Sequence, residues 1–358
     1  MMYQTVHTIF SHVFRLTFLR FSSHLLETFM STQLNRRQFV AQGTALSAAA
    51  LSTGAWAQNK ITLTYSDIVP ENDARTTMLR NTFSALGPDL EFKSHHGGTL
   101  YKQGTEPVAI QRGNLDMANI ASGDVQNQVP QLSLLMVPYL IRDVAHLRKL
   151  WASDVGAELN KLLDEKMGLR ILANPYIGTR HLGLRTTKKI MKPADLAGIK
   201  LRMPPGEVWQ FVGTAMGANP TPLPFPEVYT ALQTGAIDAQ DNALPAVKNM
   251  KFYEVSKQIS LTGHLVAANH FVISSKKWAA MSADQQRRVQ AAANKVEDDI
   301  TNMALKEEAE LVAFFKKEGL DVYTPDLPAF RSQVLAQYAK SKYAAGWVPG
   351  MMERINKL

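Results

Sequence analysis

An α/β protein of two lobes is predicted by three features of this 358-residue sequence. Strand-like and helix-like stretches alternate from Lys60 onward. The phrase AIQRGNLD at residues 109–116 returns 122 positions later as ALQTGAID at 231–238. Between Ser282 and Gly319, 36 residues run without Pro or Gly. As one helix that run spans about 54 Å at about 1.5 Å per residue, longer than one small lobe.

The elements follow in order. KITLTYSDI (60–68) is a short strand pattern. Residues 71–86 set Ala74, Met78, Leu79 and Phe83 near helical spacing, and Gly87-Pro88 ends the helix. LEFKSHH (90–96) is a second strand, closed by Gly97-Gly98. A helix over 106–112 stops at Gly113, and LDMANI (115–120) is a third strand. Strand alternating with helix argues for a largely parallel sheet. In both copies of the repeated phrase a helix presents its aliphatic residue inward and stops at Gly113 or Gly235, suited to a left-handed helix end. Asp116 or Asp238 then opens a short strand. Two matching corners predict two related α/β units, and ligands of such sheets bind at the carboxyl ends of strands, here in a cleft. Ser282 and Gln285 form a capping box for the long helix, and Gly319 closes it.

Composition narrows the class. The formal net charge is +8, of which about +5 lies beyond residue 58; Lys and Arg are scattered, which argues against nucleic acid and mildly for anionic partners. With no Cys there are no disulfides, thiolate metal sites, iron–sulfur clusters or lipidated N-terminal Cys. NRRQFV (35–40) leads into a small-residue apolar run ending Ala55-Trp56-Ala57, the parts of a cleaved export signal. Arg36-Arg37 before Phe39 resembles a twin-arginine signal, and an ordinary Sec leader fits as well. The run is too short and too diluted for a membrane anchor. Cleavage near Ala57 would leave a cysteine-free protein in the periplasm. Residues 1–29 fit poorly before this signal, so translation is expected to start at Met30.

Residues 195–242, DLAGIKLRMPPGEVWQFVGTAMGANPTPLPFPEVYTALQTGAIDAQDN, carry a denser pattern. It includes Gly198, Lys200-Leu201-Arg202, Pro204, Gly217-Ala218, Pro220, Pro222, Phe225, Glu227-Val228-Tyr229, Gly235, Asp238, Gln240 and Asn242. This resembles the solute-binding proteins of TRAP (tripartite ATP-independent periplasmic) transporters, and the wider resemblance runs from about 60 to about 325. Ala239 and Asp241 depart from that family's usual Gly and Glu. The resemblance implies a Venus-flytrap fold, two lobes with the long helix lying across both. It assigns residues 58–178 with about 268–300 to lobe I and 179–267 with about 301–358 to lobe II, the chain crossing near 177–179 and 266–268.

Arg202 ends the IKL strand and is followed by Met203-Pro204-Pro205, which fixes the backbone beyond it. An arginine there can aim its planar fork into the cleft and take a carboxylate bidentately. The resemblance makes it the ligand-carboxylate clamp, with Arg180 in support and Arg185 as a substitute for it. Asn242, a donor and acceptor at the end of the second echo strand, matches a ligand-binding Asn of the family; Phe225 matches an aromatic that packs on the ligand's carbon skeleton. Ser66, Asp67 and Ser122 from the other lobe are candidate polar contacts, and Trp209 lines either the cleft or the core. Ala121 stands where sialic-acid binders carry an acid, which argues against that ligand.

Catalytic and metal chemistry find no support. The adjacent His95 and His96 point to opposite faces of a strand, and His181 and His264 have no acidic or His partner at ligand spacing. No G-x-S-x-G, H-E-x-x-H, Walker A or G-x-G-x-x-G pattern occurs. The expected protein is a monomeric receptor that needs no cofactor and closes on a small carboxylate. It would lie peripheral to the membrane and deliver its ligand to small and large TRAP membrane subunits. An exported enzyme acting on a carboxylate, or a receptor feeding a sensor kinase, are the alternatives.

Overall fold

The computed structural model describes residues 60–358. The signal-like residues 1–57, with Arg36-Arg37, Ala57 and the proposed start at Met30, lie outside the described residues.

Two sheets organise the described chain. The first holds β1 (Ile61–Ser66), β2 (Leu90–His95), β3 (Met117–Ile120), β4 (Leu169–Ala173) and β10 (His270–Ser274), in the order β2-β1-β3-β10-β4. The second holds β5 (Tyr176–Leu184), β6 (Lys200–Met203), β7 (Asn219–Pro222), β8 (Ala239–Ala243), β9 (Gln258–Ala268) and β11 (Asp321–Tyr323), in the order β11-β9-β5-β8-β6-β7. Both are mixed rather than largely parallel. In each, three strands run parallel (β2-β1-β3; β7-β6-β8) and the fourth, β10 or β5, joins antiparallel. That fourth strand is the one that follows a crossing from the other sheet, so it enters in the reverse direction. The chain changes sheets between Ala173 and Tyr176 and again between Ala268 and His270.

Helices fill the connections. They are α1 (Ala74–Ser84), α2 (Glu106–Gln111), α3 (Val144–Ala152), α4 (Asp154–Met167), α5 (Glu207–Met216), α6 (Val228–Thr234) and α7 (Leu244–Asn249), then α8 (Ser275–Ala279), α9 (Ala283–Lys317), α10 (Leu327–Ala339), α11 (Lys342–Ala345) and α12 (Met351–Asn356).

The repeated phrase has one structural meaning in both places. Gly113 after α2 and Gly235 after α6 are left-handed, with φ of 78° and 81°. The aspartate that follows clips the neighbouring parallel strand at both its backbone and its side chain. The Asp116 N–H donates to the Thr64 carbonyl (3.1 Å), while its Oδ2 accepts from the Thr64 N–H (2.9 Å). Asp238 does the same with Lys200, at 2.9 and 3.0 Å. On the other side the Asp116 carbonyl accepts from the Ser274 N–H and that of Asp238 from the Arg185 N–H. Each aspartate therefore fixes the register of three strands at the edge opposite the cleft, and the strand ends across the sheet are aligned as a consequence.

Helix α9 joins the two halves. Ser282 caps it with Gln285 in a reciprocal box. Its first half buries Val289, Ala293, Val296 and Ile300 against Leu63, Phe83 and Phe271 of the first sheet's core. Its second half buries Leu311 and Phe315 with Leu232, Phe252 and Ile259. Between them it grips the crossing: Thr301 Oγ1 accepts from the Tyr176 N–H (3.1 Å), and Glu308 accepts from the Thr179 N–H and the Tyr176 hydroxyl, both at 2.5 Å. The tail after residue 340 departs from its assignment to lobe II. His146 of α3 hydrogen-bonds the Ile355 carbonyl (2.8 Å), and Arg354 of α12 pairs with Asp154 and Glu158 of α4. A buried histidine and two acids far upstream capture it, a contact no local pattern announces.

If the aspartate clips set register, Asp116→Ala destabilises by about 1–3 kcal/mol, because Thr64 loses its acceptor and Lys277 its 2.9 Å ion pair. Asp238→Ala, whose bond is exposed, costs less. Urea unfolding midpoints of the two variants give the comparison; equal, negligible shifts would remove the clip from the account.

Candidate functional site

The carboxyl ends of β3, β6 and β8 face one cavity of about 100 Å³, several times the room one water needs. Arg202, Arg180, Asn242, Phe225, Trp209 and Ser122 all line it. Ser66, Asp67 and Arg185 do not.

Arg202 is the last but one residue of β6 and is 0% exposed. Its Nε donates to the Leu223 carbonyl (2.8 Å) and its Nη2 to the Gln103 side-chain oxygen (3.3 Å). Nη1 has no protein partner among the described residues. Burial, then repulsion from Arg180, pulls the guanidinium down to about 9, with Asp241 opposing. A fully desolvated cation with one open nitrogen and no carboxylate of its own presents its charge to the cavity. The Phe225 ring lies 6.0 Å from the guanidinium carbon and packs edge-on against Phe252.

Arg180, on β5, is paired. Its Nε donates to Asp241 Oδ1 at 2.8 Å, a second nitrogen reaches the Asp241 carbonyl, and the guanidinium lies 4.9 Å over the Trp209 ring. Asp241 also meets His264 Nε2 at 3.1 Å. Burial pushes the Asp241 carboxyl up, but Arg180 and His264 more than reverse it, so it stays ionised. Burial first, and His264 next, press His181 down to about 3 and keep it neutral. Asp241 is thus the residue that compensates one of two adjacent arginines, and His264 finds through the fold the acidic partner it lacks in linear spacing. Asn242 is buried and donates to the Gln240 side-chain oxygen (2.6 Å).

The first sheet closes the other side. Ser122 lines the cavity, but its hydroxyl is engaged by His270 Nε2 (2.7 Å). Asp67 turns away from the cavity, accepting from the Tyr65 hydroxyl, the Val69 N–H and His96 Nδ1. It locks the loop after β1, which is why a polar pair at a strand end is not here a pair at the cleft. Ser66 is fully buried beside it. Arg185 packs over the turn at Gly235, where an added Cβ would lie 2.9 Å from its Nη1. Sequence reasoning missed Gln103, Glu106, Asn119 and Asp124, all of which line the cavity. They sit in a loop, at a short helix start, on a strand and in a 3-10 turn, where no spacing marks them. Two direct contacts join the halves across the cleft. Gln103 Oε1 accepts from the Phe225 N–H (2.9 Å) as well as from Arg202. Gly123 meets Trp209 so closely that a Cβ would stand 2.6 Å from the indole nitrogen, so only glycine fits.

Comparison with known proteins agrees with this geometry. Residues 70–344 match the model of bacterial extracellular solute-binding protein, family 7. The sialic acid-binding periplasmic protein SiaP of Vibrio cholerae is 38% identical over 226 residues, 63% of this chain and 70% of that protein. A TRAP periplasmic solute-binding protein of Roseobacter denitrificans, solved with bound 3-deoxy-D-manno-oct-2-ulosonic acid (KDO), superposes with a TM-score of 0.81. It is 39% identical, covering 83% of this chain and 99% of that one. A second from the same organism, with bound L-galactonate, gives a TM-score of 0.75 at 26% identity over 84% and 98%. These relatives are binding proteins, not enzymes. The chain is a solute-binding protein and belongs to the TRAP-transporter solute-binding protein family.

Proposed function

We propose that the protein captures a small organic-acid anion in the cleft, with Arg202 as the carboxylate clamp, and closes on it for delivery to the small and large membrane subunits of a TRAP transporter. It works in the periplasm after removal of the N-terminal segment near Ala57. The observation that carries this reading is the open Nη1 of a fully buried Arg202, aimed into the cavity. Asn242 offers a second polar contact, Phe225 and Trp209 an apolar wall, and Arg180 a positive field whose own charge Asp241 balances. The acids held by the solved neighbours, KDO and L-galactonate, are carboxylates of the size range the reading requires. Gln103 and Gly123 hold the lobes together around the clamp, so contacts made only on closure bias the open–closed equilibrium toward the closed form.

Arg202→Ala and Arg202→Lys are expected to weaken binding of the anion by about 2–5 kcal/mol, or about thirty- to several-thousand-fold in Kd. Titration calorimetry against a panel of organic acids reads this, and unchanged affinity in both variants would falsify the clamp. Arg202→Met removes a desolvated charge at similar volume, so the ligand-free protein should melt at the same or a higher temperature while binding is lost. A large drop in melting temperature would instead give Arg202 a structural role. Arg180→Ala strands Asp241 as an uncompensated anion beside the ligand. Its affinity loss should exceed that of the double variant Arg180→Ala/Asp241→Ala; additive losses contradict the balance.

A further inference from the structure

The unpartnered polar atoms of the cavity wall are sorted by sign. From the first lobe come acceptors: Glu106 Oε2, Asn119 Oδ1 and Asp124 Oδ1. From the second lobe come donors: Arg202 Nη1 and Trp209 Nε1. None of the five has a protein partner among the described residues, and Glu106, Trp209 and Arg202 are 2%, 4% and 0% exposed. Buried polar atoms without bonds cost free energy, so such a set on opposite walls describes the polarity of what fits between them.

The acidic side is built, not incidental. Asp124 commits Oδ2 to the Ala121 N–H (2.8 Å), closing its own turn, and leaves Oδ1 open. Gly104 lies beside it, where even a Cβ would stand 3.8 Å from Oδ1. Next to Gly104, Gln103 crosses to Arg202, so the acceptor wall and the clamp belong to one contact. Burial, and then the charge of Asp124, raises Glu106 to about 8, while burial raises Asp124 to about 6. At neutral pH the pair therefore carries close to one negative charge, and Glu106 keeps its proton. A protonated carboxyl donates as well as accepts. Its natural partner is a hydroxyl, which also does both, rather than an ammonium, which only donates.

We propose that the ligand is a polyhydroxylated acid bound in one orientation, its carboxylate on the second-lobe donors and its hydroxyl-bearing end on Glu106, Asp124 and Asn119. Glu106 and Asp124 select for those hydroxyls. This rests on the reading of Arg202 as the carboxylate clamp. A site whose buried groups are built to bond a substrate hydroxyl discriminates strongly against the analogue that lacks it, because its own atoms are then left unpaired.

Calorimetric titration of the refolded, ligand-free protein with KDO, L-galactonate, hexanoate and 6-aminohexanoate tests it. The expected result is one of the sugar acids bound at least about a hundredfold tighter than hexanoate. In Glu106→Ala and Asp124→Ala the ratio of sugar-acid to hexanoate affinity should fall at least about tenfold. Glu106→Gln, which keeps a donor and an acceptor, should restore most of it. Hexanoate bound as tightly as the sugar acids overturns the proposal while leaving the Arg202 clamp intact. 6-Aminohexanoate bound tightest assigns the wall to an ammonium group and also overturns it. Variants that weaken every acid by the same factor make Glu106 and Asp124 structural. If no acid binds and Arg202→Ala changes nothing, the clamp itself fails and the proposal with it.

Discussion

The rest of the structure is arranged around the burial of a single charge. Arg202 has lost all contact with water, holds two of its nitrogens on Leu223 and Gln103, and leaves the third facing the cavity. A guanidinium in that position is costly by itself. The surroundings do not neutralise it. Arg180 stands near enough to repel it, and the one carboxylate in the network, Asp241, is taken by Arg180 and His264. The site is thus one positive charge short of balance on its second-lobe side, and an entering carboxylate is what completes it. This is how a receptor can hold a pocket that is unfavourable when empty: the stability of a large two-sheet scaffold offsets a local deficit that the ligand relieves.

The scaffold supplies that stability through symmetry. Asp116 and Asp238 make the same three backbone contacts in the two sheets, and each ties two parallel strands to one antiparallel strand that arrives from the other side. Strand exchange means that neither sheet is complete without the crossings near residues 174–175 and 269. Helix α9 packs against both cores and fixes the first crossing through Thr301 and Glu308. Relative movement of the lobes is therefore confined to a few backbone positions and one long helix, while the clips keep each wall rigid. Across the cleft, Gln103 and Gly123 place first-lobe atoms directly on Arg202 and Trp209. Closure and the environment of the clamp are one event, since the same amide oxygen that holds the Arg202 fork belongs to the opposing lobe.

Legibility followed the range of the interactions. The strands at Ile61–Ser66 and Leu90–His95, the capping box at Ser282 and the left-handed glycines at 113 and 235 depend on neighbours a few residues away, and their patterns are visible in the chain itself. Arg202 at a strand end before two prolines was visible for the same reason. Ser66 and Asp67 show where such reasoning stops. A polar pair at a strand's carboxyl end has the right address for a cleft, yet Tyr65 and His96 turn Asp67 into the lock of a loop. The largely parallel sheet was inferred from strand–helix alternation, which cannot foresee strands contributed from the other lobe. Capture of the tail by His146, Asp154 and Glu158 depends on residues about two hundred positions upstream.

By itself the sequence determined the two α/β units, the corners that end their helices, the long connecting helix and the strand that delivers Arg202. These are consequences of backbone preference, caps and periodicity, which act over a few residues. Only the tertiary structure decided that Asp241 belongs to Arg180 and His264, that Gln103 reaches the clamp from the far lobe, and that Glu106 and Asp124 form its opposite wall. The reason is that partner and protonation are set by desolvation and by charges brought together from distant segments. The same carboxylate is an ordinary surface acid in one setting and, buried beside a second acid, a group that keeps its proton near neutrality.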